Sequence, residues 1–411
     1  MGNKKNKGMV LALLGTAAAA WAQSPQLTTV HTFMGGNDGA VPTTRVTVAK
    51  NGILYGATEY GGSQSHGAVY RLQPPATAGS PWTEDVIYSV RGSGLEDYHA
   101  SGPVVLGPDG ILYSTETLTS DYGIVEGGEL YSLTPPASAG EAWTYDQLYS
   151  FDGLHYGPAA IVMGPGGVLY GSNGTESGNN EDVIFELNPP ASSGGAWTES
   201  MLYTFQDSDG FIAPPIVVES DGAILGTLTG SDILGGAVFA LSPPTSSGSR
   251  VEDTIYTFAF DPDSVGTGPL TLGGHGTLYG VTQTGGCNGG CGTVFSLTAP
   301  SAPGGSWTET TLYSFADVDA NAVPNSALVV GPGGVLYGTA VYGAMPYGIV
   351  YSLTPPASPG APWAFAILFA FSDDSNGAYP NGLSLGPGGV LYGTTTGDQV
   401  NNSGTVFELK P

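Results

Sequence analysis

Leu54-Tyr55-Gly56 decides the fold, because it returns six times. The copies are Leu112-Tyr113-Ser114, Leu169-Tyr170-Gly171, Ile224-Leu225-Gly226, Leu278-Tyr279-Gly280, Leu336-Tyr337-Gly338 and Leu391-Tyr392-Gly393, spaced 54 to 58 residues apart. A proline upstream keeps the same beat: Pro42, Pro103, Pro158, Pro214, Pro269, Pro324 and Pro380. Two markers with one period define tandem units, and units of this length with several strands each stack rather than fold alone.

Working outward from the motif, each unit reads as four strands. The first follows the proline, as in Arg45-Val46-Thr47-Val48, where apolar and polar residues alternate. A tight turn at Gly52, Gly110, Gly167, Gly222, Gly276, Gly334 or Gly389 leads into the Leu-Tyr-Gly strand; Asn51-Gly52, Asp109-Gly110 and Asp221-Gly222 are hairpin signals because Gly tolerates positive φ. The third strand carries Val69-Tyr70 and its copies, such as Val294-Phe295 and Val406-Phe407. The fourth runs from Trp to Phe, as in Trp143–Phe151 and Trp307–Phe315, with Arg250 in the Trp place of the fourth unit.

Four antiparallel strands per unit predict an all-β fold, a seven-bladed β-propeller. The units span about 43–90, 103–151, 158–205, 214–258, 269–315, 324–371 and 380–410. The last has three strands, and residues 26–33 form a fourth strand with no preceding three. The N-terminal strand is therefore expected to complete the last blade and remove the free sheet edges. A β-solenoid is the competing architecture, but its repeats are shorter and lack regular Gly hairpins.

Composition agrees. Gly (66) and Pro (31) in 411 residues exclude a mostly helical chain, while 41% hydrophobic residues favour a packed core over disorder. Charged residues are only 11%, against about 25% in an ordinary soluble domain. Nine Lys+Arg face 35 Asp+Glu, a net charge of −26, so phosphate backbones would be repelled and nucleic acid is not an expected partner.

Residues 1–22 read as a secretory signal, with Lys4, Lys5 and Lys7 before the apolar run Met9 to Ala20 and an Ala20-Trp21-Ala22 cleavage site. The domain is then 23–411, a soluble, monomeric, exported protein of net charge −29, located outside the cell, at its surface or in a periplasm. No later stretch is long and apolar enough for a membrane span.

The segments Tyr279 to Phe295, with Gly285-Gly286-Cys287-Asn288-Gly289-Gly290-Cys291, and Trp307 to Phe315 resemble the GloVer tandem repeat of exported bacterial proteins. The resemblance covers almost the whole mature chain. It implies an exported repeat protein, often surface-associated, whose molecular activity is not established. Members often carry a C-terminal sorting anchor, whereas this chain ends at Lys410-Pro411. The order Gly61-Gly62, Tyr70, Trp82 is also similar to kelch blades, which bears on the fold only.

Propeller geometry puts the links between blades and the links from strand two to strand three on one face. Those loops are expected to hold 21 of the 35 acids, Asp97, Glu116 and Asp182 among them, with Arg91 the one cation. Asp207-Ser208-Asp209, Asp261-Pro262-Asp263 and Asp317-Val318-Asp319 alternate like the first half of a calcium loop, though none has the distal Glu. Ca2+ is the one cofactor expected, and ordinary side-chain turns are the plainer explanation. Tyr60, Tyr98, Tyr156, Tyr342, Tyr347 and Tyr379 are placed in the same loops, as are His66, His99 and His155. Rings beside carboxylates suit a glycan or a basic peptide; packing of loop on loop is the alternative. Cys287 and Cys291 suit a local disulfide in an exported protein. His31 fills a strand position held by Tyr elsewhere, and His275 sits in a hairpin turn.

The expected function is a binding module for a glycan, peptide or cell-surface protein, using the ligand-binding residues Tyr60, Tyr98, His99, His155, Tyr156, Tyr342, Tyr347 and Tyr379. A secreted carbohydrate-active hydrolase or lyase using loop carboxylates and His99 or His155 is one alternative. A purely structural surface repeat is the other. No phosphate-binding loop, dinucleotide fingerprint, Gly-x-Ser-x-Gly or His-Glu-x-x-His occurs, and the sequence assigns no catalytic residue.

Overall fold

The computed structural model describes residues 25–77, 79–91, 97–100, 102–119, 125–138, 140–151, 158–173, 182–192, 194–206, 209–229, 235–243, 250–258, 266–286, 291–302, 305–317, 322–324, 326–341, 346–358, 360–372, 377–397 and 403–411. Seven antiparallel sheets form the blades of a propeller. Blade 3 is representative: Pro158–Met163, Leu169–Asn173, Val183–Asn188 and Thr198–Thr204 pair in sequence order. Blades 2 and 6 break the first strand in two, at Asp97–Ala100 with Val105–Leu106 and at Val323–Pro324 with Val329–Val330.

The ring closes as the sequence predicts. Gln26–Thr32 pairs antiparallel with Thr405–Lys410, Leu27 opposite Leu409 and Thr32 opposite Thr405. The first strands line the axis and tie neighbours together: the Thr271 hydroxyl donates to the Leu328 carbonyl at 2.7 Å, and the Ser384 hydroxyl to the Val46 carbonyl at 2.6 Å.

The core lies largely between blades, and the repeated residues build it. The Phe that ends a fourth strand inserts against the third-strand ring of the next blade: Phe205 on Phe239 at 4.8 Å, Phe258 on Phe295 at 5.0 Å, Phe315 on Tyr351 at 5.2 Å. That ring lies directly over the motif glycine. A Cβ at Gly171, Gly226, Gly280 or Gly393 would fall closer than 3.0 Å to the buried Phe185, Phe239, Phe295 or Phe407. Glycine is required there by close approach, not by backbone angle.

The Trp of one blade meets the motif Tyr of the preceding one edge-on: Trp143 on Tyr55 at 6.2 Å, Trp363 on Tyr279 at 6.3 Å, Trp82 on Tyr392 at 6.0 Å. Repeated Trp is thus packing. Arg250 replaces the indole with hydrogen bonds, donating to the Gly222 carbonyl at 2.7 Å and the Ser242 carbonyl at 3.0 Å. No helix among the described residues is long and apolar enough to cross a membrane.

Candidate functional site

Three rings converge where blade 1 meets blade 2. Tyr60 follows the strand Leu54–Thr58 and is held by a two-way backbone bridge to Ala40, at 2.7 and 3.1 Å. Gly61 and Gly62, both at positive φ, then turn the chain so that His66 returns beside Gly61. From blade 2, the His99 ring meets Tyr60 at 5.8 Å and His66 at 6.1 Å, both edge-on. Tyr60 is 43% exposed, and hydrogen bonding to Glu59, together with that carboxylate's charge, raises its hydroxyl pKa. Nδ1 of His99 is buried without a hydrogen-bond partner among the described residues. The patch therefore offers a solvent-facing ring, two imidazoles and a carboxylate acceptor within one seam.

Two placements differ from the sequence reading. His99, with Asp97 and Tyr98, belongs to the strand Asp97–Ala100, and Glu116 to the strand Leu112–Thr119, rather than to loops. The reason is local: Thr115-Glu116-Thr117-Leu118-Thr119 is a glycine-free, Thr-rich run with strong strand preference, so the sheet extends where other blades turn. Tyr98 is on this strand, but its side chain lies outside the described set.

Glu116 is 2% exposed, and burial pushes its carboxyl up to about 7, against a smaller opposing effect of the Tyr88 hydroxyl. Its Oε1 has no hydrogen-bond partner among the described residues. Around it, Tyr88 stacks on Tyr145 at 5.0 Å, Tyr145 donates to Glu129 at 2.8 Å, and the Arg91 guanidinium lies 4.4 Å over the Tyr145 ring. Ser114 replaces the motif glycine in this same blade. The blade 1–blade 2 seam thus buries a carboxyl among stacked tyrosines. The signals for it were present in the sequence as Ser114 and Val90, departures from Gly and Phe.

The remaining candidates do not join the patch. Tyr347 and Tyr379 meet edge-on at 6.4 Å, the Tyr379 N–H donating to the Tyr347 carbonyl at 2.9 Å; both are half-buried, and Tyr347 packs on the core shared by blades 6 and 7. Their contacts are those of loop bracing. His155, Tyr156 and Tyr342 lie outside the described residues. The same holds for Asp207, Asp261, Asp263 and Asp319, and for the side chain of Asp317. Asp209 accepts the Gln206 N–H at 2.9 Å and closes a local turn. Buried Asp182 accepts the Ile212 N–H and fastens blade 3 to blade 4. Among the described residues no group of three or more His, Cys, Asp and Glu could hold a metal ion. Cys291 is buried and disulfide-bonded, while Cys287 lies outside the described residues. His31 meets Phe33 edge-on at 4.7 Å, and His275 is exposed in its turn.

Solved structures resemble this chain at the level of fold. The β-propeller domain of Myceliophteria thermophila Cps50 (Swd1) superposes with a TM-score of 0.53 at 11% identity, covering 93% of this chain and 99% of that one. The extracellular domains 1–2 of Drosophila Semaphorin 1a reach 0.48 at 10% identity, covering 93% and 88%. The soluble aldose sugar dehydrogenase of Escherichia coli in its apo form reaches 0.45 at 11% identity, covering 94% and 100%. No curated protein matches the sequence significantly. The model of the Gloeobacter/Verrucomicrobia repeat matches residues 15–239 and again 157–407, nearly the whole propeller, and the chain belongs to that repeat family.

Proposed function

We propose that this propeller is an exported binding module that takes a glycan at the seam of blades 1 and 2. The observation that carries the reading is the exposed Tyr60 ring, set edge-on to His99 beside Glu59. A sugar presents C–H faces to an aromatic ring and hydroxyl donors to a carboxylate, and Tyr60 with Glu59 supplies both. The one carboxyl near the patch with a strongly raised pKa, Glu116, is buried inside the seam, away from a solvent-borne substrate, so binding fits the site better than hydrolysis.

A glycan array probed with the protein from residue 23 tests the reading. Selective signals that fall at least about tenfold in Tyr60→Ala are expected. An array without signal, or signals indifferent to Tyr60→Ala and Glu59→Gln, would overturn it. Export rests on the charged and apolar leader; N-terminal sequencing of protein recovered outside the cytoplasm is expected to read from Gln23.

A further inference from the structure

Past the predicted signal, six cations remain in the chain, and two of them, Arg45 and Lys50, line one cavity. Its volume is about 430 Å³, and its walls come from the first strands of blades 1 to 4 and their flanks, so it opens on the axis of the ring. Val48, Leu106, Val162 and Met163 make much of the wall apolar. Among the described residues lining it, only Arg45 and Lys50 carry charge, and no carboxylate stands among them.

Both residues break the repeat. Counted back from the turn glycine, the place of Arg45 is taken in the other blades by Pro103, Ala160, Pro215, Pro269, Ala327 and Gly382. The place of Lys50 is taken by Pro108, Pro165, Ser220, Gly274, Pro332 and Pro387. Small uncharged residues therefore serve the packing at these positions, and the ring needs no cation there. Neither side chain makes an ion pair or hydrogen bond among the described residues, whereas Arg71 and Lys410 are both paired. Arg45 is exposed to solvent, and partial desolvation by the surrounding ring lowers its pKa from the ordinary arginine value.

We propose that this cavity is a binding site for a small organic anion, a carboxylate on an apolar body, with Arg45 as the carboxylate clamp and Lys50 as the charge at the mouth. A guanidinium matches a carboxylate in a planar, two-point contact, and a cation beside an apolar wall gains more from an anion than one in open water. The apolar wall gives the rest of the ligand a place to shed water. The chain's large negative charge does not forbid this, since charges beyond about 8 Å are largely screened at physiological salt. The site goes beyond the glycan reading and uses none of its residues.

Calorimetric titration of the mature protein with hexanoate tests the proposal, with hexanamide and inorganic phosphate as matched probes. One saturable site of about millimolar Kd is expected for hexanoate, a scale set by its few heavy atoms. Hexanamide is expected not to saturate, and phosphate to bind more weakly than hexanoate. Arg45→Ala and Lys50→Ser adopt residues the repeat already uses at those places and are expected to melt like wild type. Arg45→Ala is expected to lose about tenfold or more in hexanoate affinity, Lys50→Ser less, and Lys410→Ala nothing. Absence of hexanoate saturation in the wild type, equal binding by hexanamide, or unchanged affinity in Arg45→Ala would each overturn it. So would phosphate binding as tightly as hexanoate, because the apolar wall would then contribute nothing.

Discussion

Gly280→Ala asks whether the motif glycine is a packing device. Gly280 lies under Phe295, which is fully buried and itself held by Phe258 of blade 4 at 5.0 Å. An added Cβ would lie within 3.0 Å of three Phe295 ring carbons, so the ring must move, and its neighbour blocks the move. Overpacking of this kind costs about 1–3 kcal/mol. Reduced freedom of the unfolded chain offsets about 0.4–1 kcal/mol of it. The net loss should be about 1–2 kcal/mol, or about 1–2 °C per kcal/mol in melting temperature for a domain this long. Circular-dichroism melts and urea titrations would read it. Gly274→Ala is the control, since a Cβ there meets nothing within 4 Å; it should be neutral or slightly stabilising. Phe295→Leu makes room, so the double variant Gly280→Ala/Phe295→Leu should be less destabilised than the sum of its parts by about 0.5 kcal/mol or more. A Gly280→Ala protein as stable as wild type, or strict additivity in the cycle, would refute the reasoning.

Three further outcomes follow from the same structure. Glu116 holds its proton to about pH 7 in the fold but releases it near 4.5 when unfolded, so its contribution is complete below 4.5 and lost as pH rises to 7, by up to about 3 kcal/mol; Glu116→Gln should flatten that fall in urea midpoints measured from pH 4.5 to 8, and a parallel pH profile would count against a buried carboxyl. Arg250→Ala strips two carbonyls of their donor and should cost about 1–3 kcal/mol, whereas a surface arginine would give about zero in the same melt. Removing residues 26–33 uncovers the edge strand Thr405–Lys410 and should yield a low-melting, aggregating protein by light scattering, while a monodisperse, normally melting product would show that closure does not depend on this strand.

The fold was legible because the chain states it seven times. Leu-Tyr-Gly, the Pro beat and the Trp-to-Phe strand recur blade by blade, and their rings meet across seams, as Trp143 on Tyr55 and Phe258 on Phe295, so local spacing encodes tertiary packing. Even Arg250, visible as an odd residue in the Trp place, fastens its own blade, bonding the carbonyls of Gly222 and Ser242. The candidate site was only half legible. Tyr60, His66 and His99 could be assigned to one face, but their convergence depends on the Ala40 bridge and on a strand in the next blade, which no spacing reveals. Glu116 lies on a strand because the strand preference of its own Thr-rich run outweighs its position in the repeat.

What the repeat does reveal is where it is broken. A ring selected only for stability has no reason to treat its seams unequally, because each seam solves the same packing problem. Blade 4 departs at Leu225 and Arg250, but more departures fall in blades 1 and 2: Arg45 and Lys50 for small residues, Val90 for Phe, Ser114 for Gly, and Glu116 buried at a cost to stability at neutral pH. Local violations of a fold's own rules are expected where function is placed. The ring patch around Tyr60 lies in that pair of blades, the cationic pocket takes its two charges from blade 1 and its walls from blades 1 to 4, and the two use different residues. Restoring the repeat one residue at a time therefore separates them: Arg45→Ala should leave glycan signals intact, and Tyr60→Ala should leave hexanoate binding intact. Loss of both by either substitution would mean that the two features are one site.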